Sequence, residues 1–396
     1  MQTVTLDMFQ TLAIAALAHY VGLFLQKKIR FFRRFCIPVP VIGGTVIALL
    51  TLILYVTGAA EISFADTLKD VCMVFFFTTV GFGANLKLLK SGSKVLIKLI
   101  LLIAILAVSQ NLLTVGLATL LKQNPLIGLG TGSVSFLGGH GTAAAFAPLL
   151  EEHGLTGALT ICSAAATFGL IAGSLSGGPL ANHLIRKKDL IRTAKPEDPS
   201  VETEKAKGKK SRAENFAKAA FQLAIAVGAG TLLTKLISLT GLVFPQYIGS
   251  MFFGCIISNV GSYTGKFTIY TREIEDIGAI MLELFLGMAL ISLKIWQLFH
   301  LALPLVVLLL SQTVFTVLFA RFAAFRFLGK DYDAAVMTSG VCGFSMGATP
   351  NALSNMQAVT ANRPASRISF LVIPITGGIF LDIINGLTIV VFLNVL

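Results

Sequence analysis

Gly130–Leu150 reads GTGSVSFLGGHGTAAAFAPLL, a stretch that closes a long apolar run yet carries glycine at 130, 132, 138, 139 and 141. Inside a helix each glycine costs about 1 kcal/mol relative to alanine. The run Gly138-Gly139-His140-Gly141 therefore predicts a break, with helix before it and a new helix starting near Thr142. Backbone broken at membrane depth survives only where protein buries it or where it lines a watery cavity. A second stretch of this kind, GVCGFSMGATPNALSNM, follows at Gly340–Met356. Paired breaks in corresponding places of two halves point to the binding site of a transporter.

The chain around these breaks has the composition of an integral membrane protein. Of its 396 residues, 55% are hydrophobic and 13% charged, with mean hydropathy +0.83. Soluble domains carry about 25% charged residues. Apolar runs of spanning length, about 20 residues each, fall at 9–25, 39–58, 67–86, 95–121 and 155–185, then at 215–239, 245–260, 277–297, 299–328 and 367–394. The N-terminal MQTVTLDMF lacks the basic region of a cleaved signal peptide, so the first run reads as a retained span. Cys36, Cys72, Cys162, Cys255 and Cys342 show neither metal-ligand nor disulfide spacing and read as small buried hydrophobes.

The fold class expected is an all-α integral membrane protein of two inverted repeats. Residues 1–185 form the first five-span repeat with its break at about 126–150, and 214–396 the second, with its break at about 334–358. The segment 186–213, rich in Lys, Glu and Pro, reads as a basic cytosolic linker. Gly132 and Gly340, Gly139 and Gly347, Met73 and Met281, and Gly169 and Gly377 each stand 208 residues apart. Ile37-Pro38 and Phe244-Pro245 stand 207 apart, as do Leu86-Lys87 and Leu293-Lys294. An odd number of spans per half turns the second half upside down. With the N-terminus outside, 27 of the 31 Lys and Arg residues fall on the inside, leaving Lys69, Lys122, Lys235 and Lys294 outside. That is the positive-inside bias. The net charge of +12 is then an orientation device and not a nucleic-acid footprint. Both termini are expected outside, with the first break entering from outside and the second from inside.

Each break can seat an anion. A helix restarting with Thr142 near its N-cap offers free N–H groups and the positive end of its dipole. Thr349 suits a second N-cap, with Pro350 at the first helical position and Asn351, Ser354 and Asn355 following. The competing readings are a glycine-rich packing interface for the first and a proline kink for the second. His140 is either a proton relay or a polar tip. Asp382 sits in the last span, where a carboxylate costs about 2.5–3.5 kcal/mol to insert, and Asn385 shares its helix face. Asp382 is a functional candidate, with a structural polar contact as the alternative. Glu283 is intramembrane too, and either takes part in transport or pairs locally.

The segments IPVPVIGG (37–44), SFLGGHGTAAAF (135–146), ATFGLIAGSLSGGP (166–179), DYDAAVMTSGVCGFSMGATPNALSNMQAVT (331–360) and FLVIPITGGIFLDIIN (370–385) resemble the bacterial sodium/glutamate symporters over nearly the whole chain outside the linker. The resemblance implies glycine-rich re-entrant hairpins and uptake of L-glutamate driven by sodium entry through the inner membrane. More weakly, it implies an elevator motion and a homodimer. The substrate-facing set is then Gly138, Gly139, His140, Gly141 and Thr142, with Ser345, Gly347, Thr349, Pro350 and Asn351 from the second break. Asp382 is left for the ammonium group. Sodium, the coupling ion and the only cofactor expected, would be held by broken-helix carbonyls and by neutral oxygens such as those of Asn85, Ser135, Thr376 and Asn385. Glu283 and the strongly basic linker depart from the family pattern. The rival reading is a sodium- or proton-coupled citrate or malate transporter, against which Asp382 speaks, since such a substrate has no ammonium. A channel would not need two opposed breaks, and no His/Asp/Ser or metal-ligand set supports an enzyme.

Overall fold

Asp7 begins the first helix by accepting from the N–H groups of Phe9 and Gln10, both at 2.8 Å, while Gln10 caps the Asp7 N–H in return. From this start a computed structural model describes residues 2–84, 94–193, 213–239, 245–297, 302–361 and 363–396. The first half contains α1 (Met8–Lys28), α2 (Arg30–Arg34), α3 (Val39–Val56), α4 (Thr67–Gly83), α5 (Lys94–Leu120), α6 (Pro125–Thr131), α7 (Gly139–Glu152) and α8 (Ala158–Lys188). The second contains α9 (Ala213–Ser238), α10 (Gln246–Thr264), α11 (Thr271–Ile291) and α12 (Ala302–Phe319), which continues through a π-helical turn at Ala320–Ala324 to Phe325–Leu328. Then come α13 (Tyr332–Ser345), α14 (Thr349–Thr360), α15 (Arg367–Ile375) and α16 (Leu381–Leu393). Of the linker, Arg186–Lys188 extends α8 and Leu190–Thr193 forms a 3-10 turn.

Six described helices, α1, α3, α5, α8, α9 and α12, are long and apolar enough to cross a membrane, and α15 with α16 makes a seventh, bent pair. The other three expected spans are helical but shorter or more polar. α4 has 17 residues, α10 carries Ser258 and Asn259, and α11 opens with Arg272, Glu273, Glu275 and Asp276. The chain is a multi-pass membrane protein, mostly helical. A small parallel sheet, absent from the all-α expectation, pairs β1 (Gln2–Thr5) with β2 (Ala60–Ser63). The Glu61 carboxylate lies 3.1 Å from Lys294 Nζ, and Tyr55 stacks on Trp296 at 4.0 Å. These contacts gather the N-terminal segment with the connections that follow α3 and α11.

Two groups of helices form the body. α1, α3, α4, α9, α10 and α11 pack on one another, with Ala18, Ile42, Phe77, Met251 and Leu290 among their buried side chains. α5, α8, α12, α13, α14 and α15 pack around Leu99, Leu184, Phe325, Tyr332 and Phe344. α7 lies against α8 in the second group and sends Phe146 into the core of the first.

Both breaks are present, with three differences from expectation. The first new helix starts at Gly139, three residues before Thr142, and its N-cap is Gly138. Gly139 adopts the left-handed φ of +63°, which lets the chain turn straight into the helix. The second starts at Thr349 with Ala348 as N-cap, which places Pro350 at the second helical position. The last span is not one straight helix. A π-helical turn at Thr376–Phe380, following Pro374, bends it by 41°; proline and π turns are two of the identifiable causes of kinks.

Candidate functional site

A cavity of about 230 Å³ lies between the two groups of helices. Pro38, Phe76, Phe77, Leu282 and Leu286 line it from the first group. The second contributes the starts of α7 and α14, namely Gly138–Thr142 and Gly347–Pro350, and Asp382 comes from α16, which packs on α5. The two starts touch: a Cβ on Gly139 would stand 2.7 Å from the carbonyl oxygen of Gly347.

Helix geometry says which N–H groups are left for a ligand. In α7 the Gly138 N–H donates to the Ser133 carbonyl (2.9 Å) and the Gly139 N–H to that of Ser135 (3.1 Å). Those of His140 and Gly141 follow in the first turn, beside the cavity. In α14 the Asn351 N–H turns back to Ala348 (3.0 Å) and Pro350 has none, which leaves those of Ala348 and Thr349. Each helix end adds a partial positive charge of about +0.5. Asp382 is the only carboxylate among the described lining residues, and no Lys or Arg is among them. A second, larger cavity of about 480 Å³ lies further along the same seam, with Asp66, Lys69, Glu151 and Lys294 in its walls.

Nine of the eleven residues expected to face substrate line the smaller cavity: Gly138, Gly139, His140, Gly141, Thr142, Gly347, Thr349, Pro350 and Asp382. Ser345 and Asn351 do not. The Ser345 hydroxyl donates to the Val341 carbonyl, and Asn351 Nδ2 donates to the Leu170 carbonyl of α8 at 3.0 Å. His140 lines the cavity with its ring tied down. The Thr167 hydroxyl donates to Ser163, so His140 Nε2 donates to Thr167 Oγ1 at 2.9 Å and joins α7 to α8.

Of the residues expected near sodium, Asn85 lies outside the described residues. Ser135 and Thr376 spend their hydroxyl protons on the Gly130 and Val372 carbonyls. Asn385 does not stand beside Asp382 in the cavity. It is fully buried, and its Nδ2 donates to the Ser133 carbonyl at 3.0 Å. Glu283 Oε2 lies 3.0 Å from His19 Nδ1 and links α11 to α1. Among the described residues no group of three or more His, Cys, Asp or Glu could hold a metal ion. The apolar walls went unread in the sequence. Phe76, Phe77, Leu282 and Leu286 carry the same signal as any lipid-facing or core residue of a span.

The profile of the sodium/glutamate symporter family matches residues 4–363. The chain is 38% identical to the sodium/glutamate symporter of Escherichia coli (strain K12) over 392 residues, 98% of each chain. It is 35% identical to that of Haemophilus influenzae over 389 residues, 96% of each. α15 and α16 lie beyond the profile match, but such coverage of the relatives leaves little of the chain unaligned.

Proposed function

Since the chain belongs to the sodium/glutamate symporter family, we propose that it carries L-glutamate, together with sodium ions, across the inner membrane into a bacterial cell. The observation that carries this reading is the meeting of two helix starts beside one carboxylate. Glutamate has two carboxylates and one ammonium. The N–H groups of His140 and Gly141 seat one acid, and those of Ala348 and Thr349 seat the other. Asp382 receives the ammonium. A citrate or malate carrier would leave Asp382 facing an anion without a compensating cation.

The transport cycle follows from how the cavity is walled. The group bearing both breaks acts as the carrier and slides against the other group, exposing the site to each side in turn. Two inverted five-helix halves, each with a re-entrant hairpin, supply that arrangement, and the 208-residue register supports the duplication. The basic connections face the cytoplasm and the termini the periplasm, and the scaffold group pairs two protomers. The deciding experiment is uptake of labelled glutamate into proteoliposomes of the purified protein. Uptake should require an inward sodium gradient. Equal uptake driven by a proton gradient at zero sodium would overturn the sodium role, and no glutamate uptake under either gradient would overturn the substrate.

A further inference from the structure

Away from the cavity, one knot of buried polar groups joins α5, the break after α6, and α16. Asn111, Thr114, Ser133 and Asn385 are all at 0% exposure. The Ser133 N–H donates to Asn111 Oδ1 at 2.8 Å. The Ser133 carbonyl accepts from both Asn385 Nδ2 (3.0 Å) and the Gly138 N–H (2.9 Å). A Cβ on Gly132 would meet Asn111 Oδ1 and Thr114 Oγ1, each at 2.6 Å, so these two oxygens press on the same point of the break. Within this compact set Asn385 Oδ1, Ser133 Oγ and Asn111 Nδ2 have no hydrogen-bond partner. Leaving polar atoms buried and unpaired is costly, and here three such atoms belong to side chains already linked through Ser133.

The atoms on offer identify the ligand. Asn385 Oδ1, Ser133 Oγ, Thr114 Oγ1 and Asn111 Oδ1 are hard, neutral oxygens, and no carboxylate belongs to the knot. Divalent cations draw on carboxylates; an all-neutral oxygen set suits a monovalent hard cation. We propose that Ser133 and Asn385, backed by Thr114 and Asn111, hold the sodium ion that is transported with glutamate. The proposal rests on the transport reading above and names the residues for its coupling ion. Asn111 Nδ2 is free to donate to a water of the ion's shell. Ser133 follows Gly132 in the non-helical stretch that leads to Gly138–Thr142, and Asn385 lies one turn beyond Asp382 on α16. A cation here fixes both the acid-binding start of α7 and the helix that presents Asp382. Sodium and glutamate must then raise each other's affinity by the same factor.

The test uses the purified full-length protein in detergent, titrated with NaCl at constant ionic strength (KCl making up the balance) while the melting temperature is followed. Binding to the folded state raises it in proportion to ln(1 + [Na⁺]/Kd). Ser133→Ala deletes an oxygen with no partner in the fold, so the variant should melt like wild type without sodium and need at least tenfold more sodium for the same rise. Ser133→Cys, close in volume but offering sulfur, must show the same loss. A wild-type sodium midpoint in both variants overturns the assignment and makes the knot a packing feature or a water site. Asp382→Asn separates the two readings: it should keep the sodium response and need about 10- to 100-fold more glutamate for the further rise. If Ser133→Ala loses the sodium response while wild type ignores glutamate, the ion site stands and the substrate reading fails. If wild type needs sodium for its glutamate response but Ser133→Ala needs it equally, the substrate reading stands and the ion site fails. No sodium response in wild type overturns the ion site and the sodium role, while a glutamate response in the same protein keeps the substrate reading.

Discussion

Gly141 separates a residue required by the fold from one required by the ligand. It occupies the first turn of α7, and the nearest atoms to a Cβ built on it are Leu282 Cδ1 and Phe76 Cε1, both at 3.9 Å. That is ordinary contact, so Gly141→Ala meets no obstacle in the protein. In a helix the exchange is worth about 0.5–1 kcal/mol in favour of folding, and the variant should melt at or slightly above the wild-type temperature. Its methyl group, however, projects toward Phe76 and Leu282, into a cavity of about 230 Å³ beside the N–H groups offered to a carboxylate. Forcing an extra methyl into a filled site costs about 1–3 kcal/mol, or roughly 5- to 150-fold in glutamate affinity. Gly141→Val should abolish uptake. The assay pairs a melting curve with glutamate binding to the purified protein and uptake into proteoliposomes. Full uptake by Gly141→Val would refute the reasoning, since no carboxylate could then approach this turn. A fall in melting temperature with affinity retained would refute it the other way, making Gly141 a packing residue.

Gly139→Ala should behave oppositely, losing at least about 1–2 kcal/mol of stability, because its φ of +63° is left-handed and its Cβ would meet the Gly347 carbonyl at 2.7 Å; an unchanged melting curve would contradict this. Asp382→Asn should weaken glutamate by about 10- to 100-fold, the range of a charge-assisted contact, and leave glutarate, which lacks the amine, unaffected; equal weakening of both ligands would remove the ammonium role. On a cysteine-free background, Thr3→Cys should be labelled from outside the cell and Arg192→Cys only from the cytoplasm, and labelling of both from one face would end the inverted arrangement. Glu283→Gln should leave glutamate affinity as in wild type, because the pair with His19 joins α11 to α1 outside the cavity lining; a loss of affinity would bring Glu283 into transport.

Much of this could be read from residue types alone, and the exceptions share a cause. Glycine clusters mark broken backbone because their cost inside a helix is intrinsic, so both breaks stood out against apolar surroundings. The exact helix starts depended on which carbonyls would accept the orphan N–H groups. Ser133 and Ser135 accept those of Gly138 and Gly139, and the helix begins before Thr142. Asp382 was legible because a carboxylate in an apolar span needs a reason. Ser133 was not, since nothing in SVS distinguishes it from Ser135, whose hydroxyl caps a carbonyl in the preceding turn. Phe76 and Phe77 were invisible for the same reason: an aromatic wall and a lipid-facing aromatic are written alike.

The π-helical turn at Thr376–Phe380 has a consequence for how substrate choice is encoded in this chain. Such a turn houses one residue more than the α-helix around it, and each residue of an α-helix advances the face by about 100°. The azimuth at which α16 presents Asp382 to the cavity and Asn385 to Ser133 is therefore set by chain length upstream, not by the two side chains themselves. Removing Gly378, whose added Cβ would meet nothing within 4 Å, should take out the π turn, leave Pro374 in place, and rotate everything after it by about that angle. Both polar groups would swing away together, though neither had been mutated. On the transport reading proposed above, a single-residue deletion or duplication in TGGIF should alter selectivity with every site side chain intact, so chain length there acts alongside the identity of Asp382.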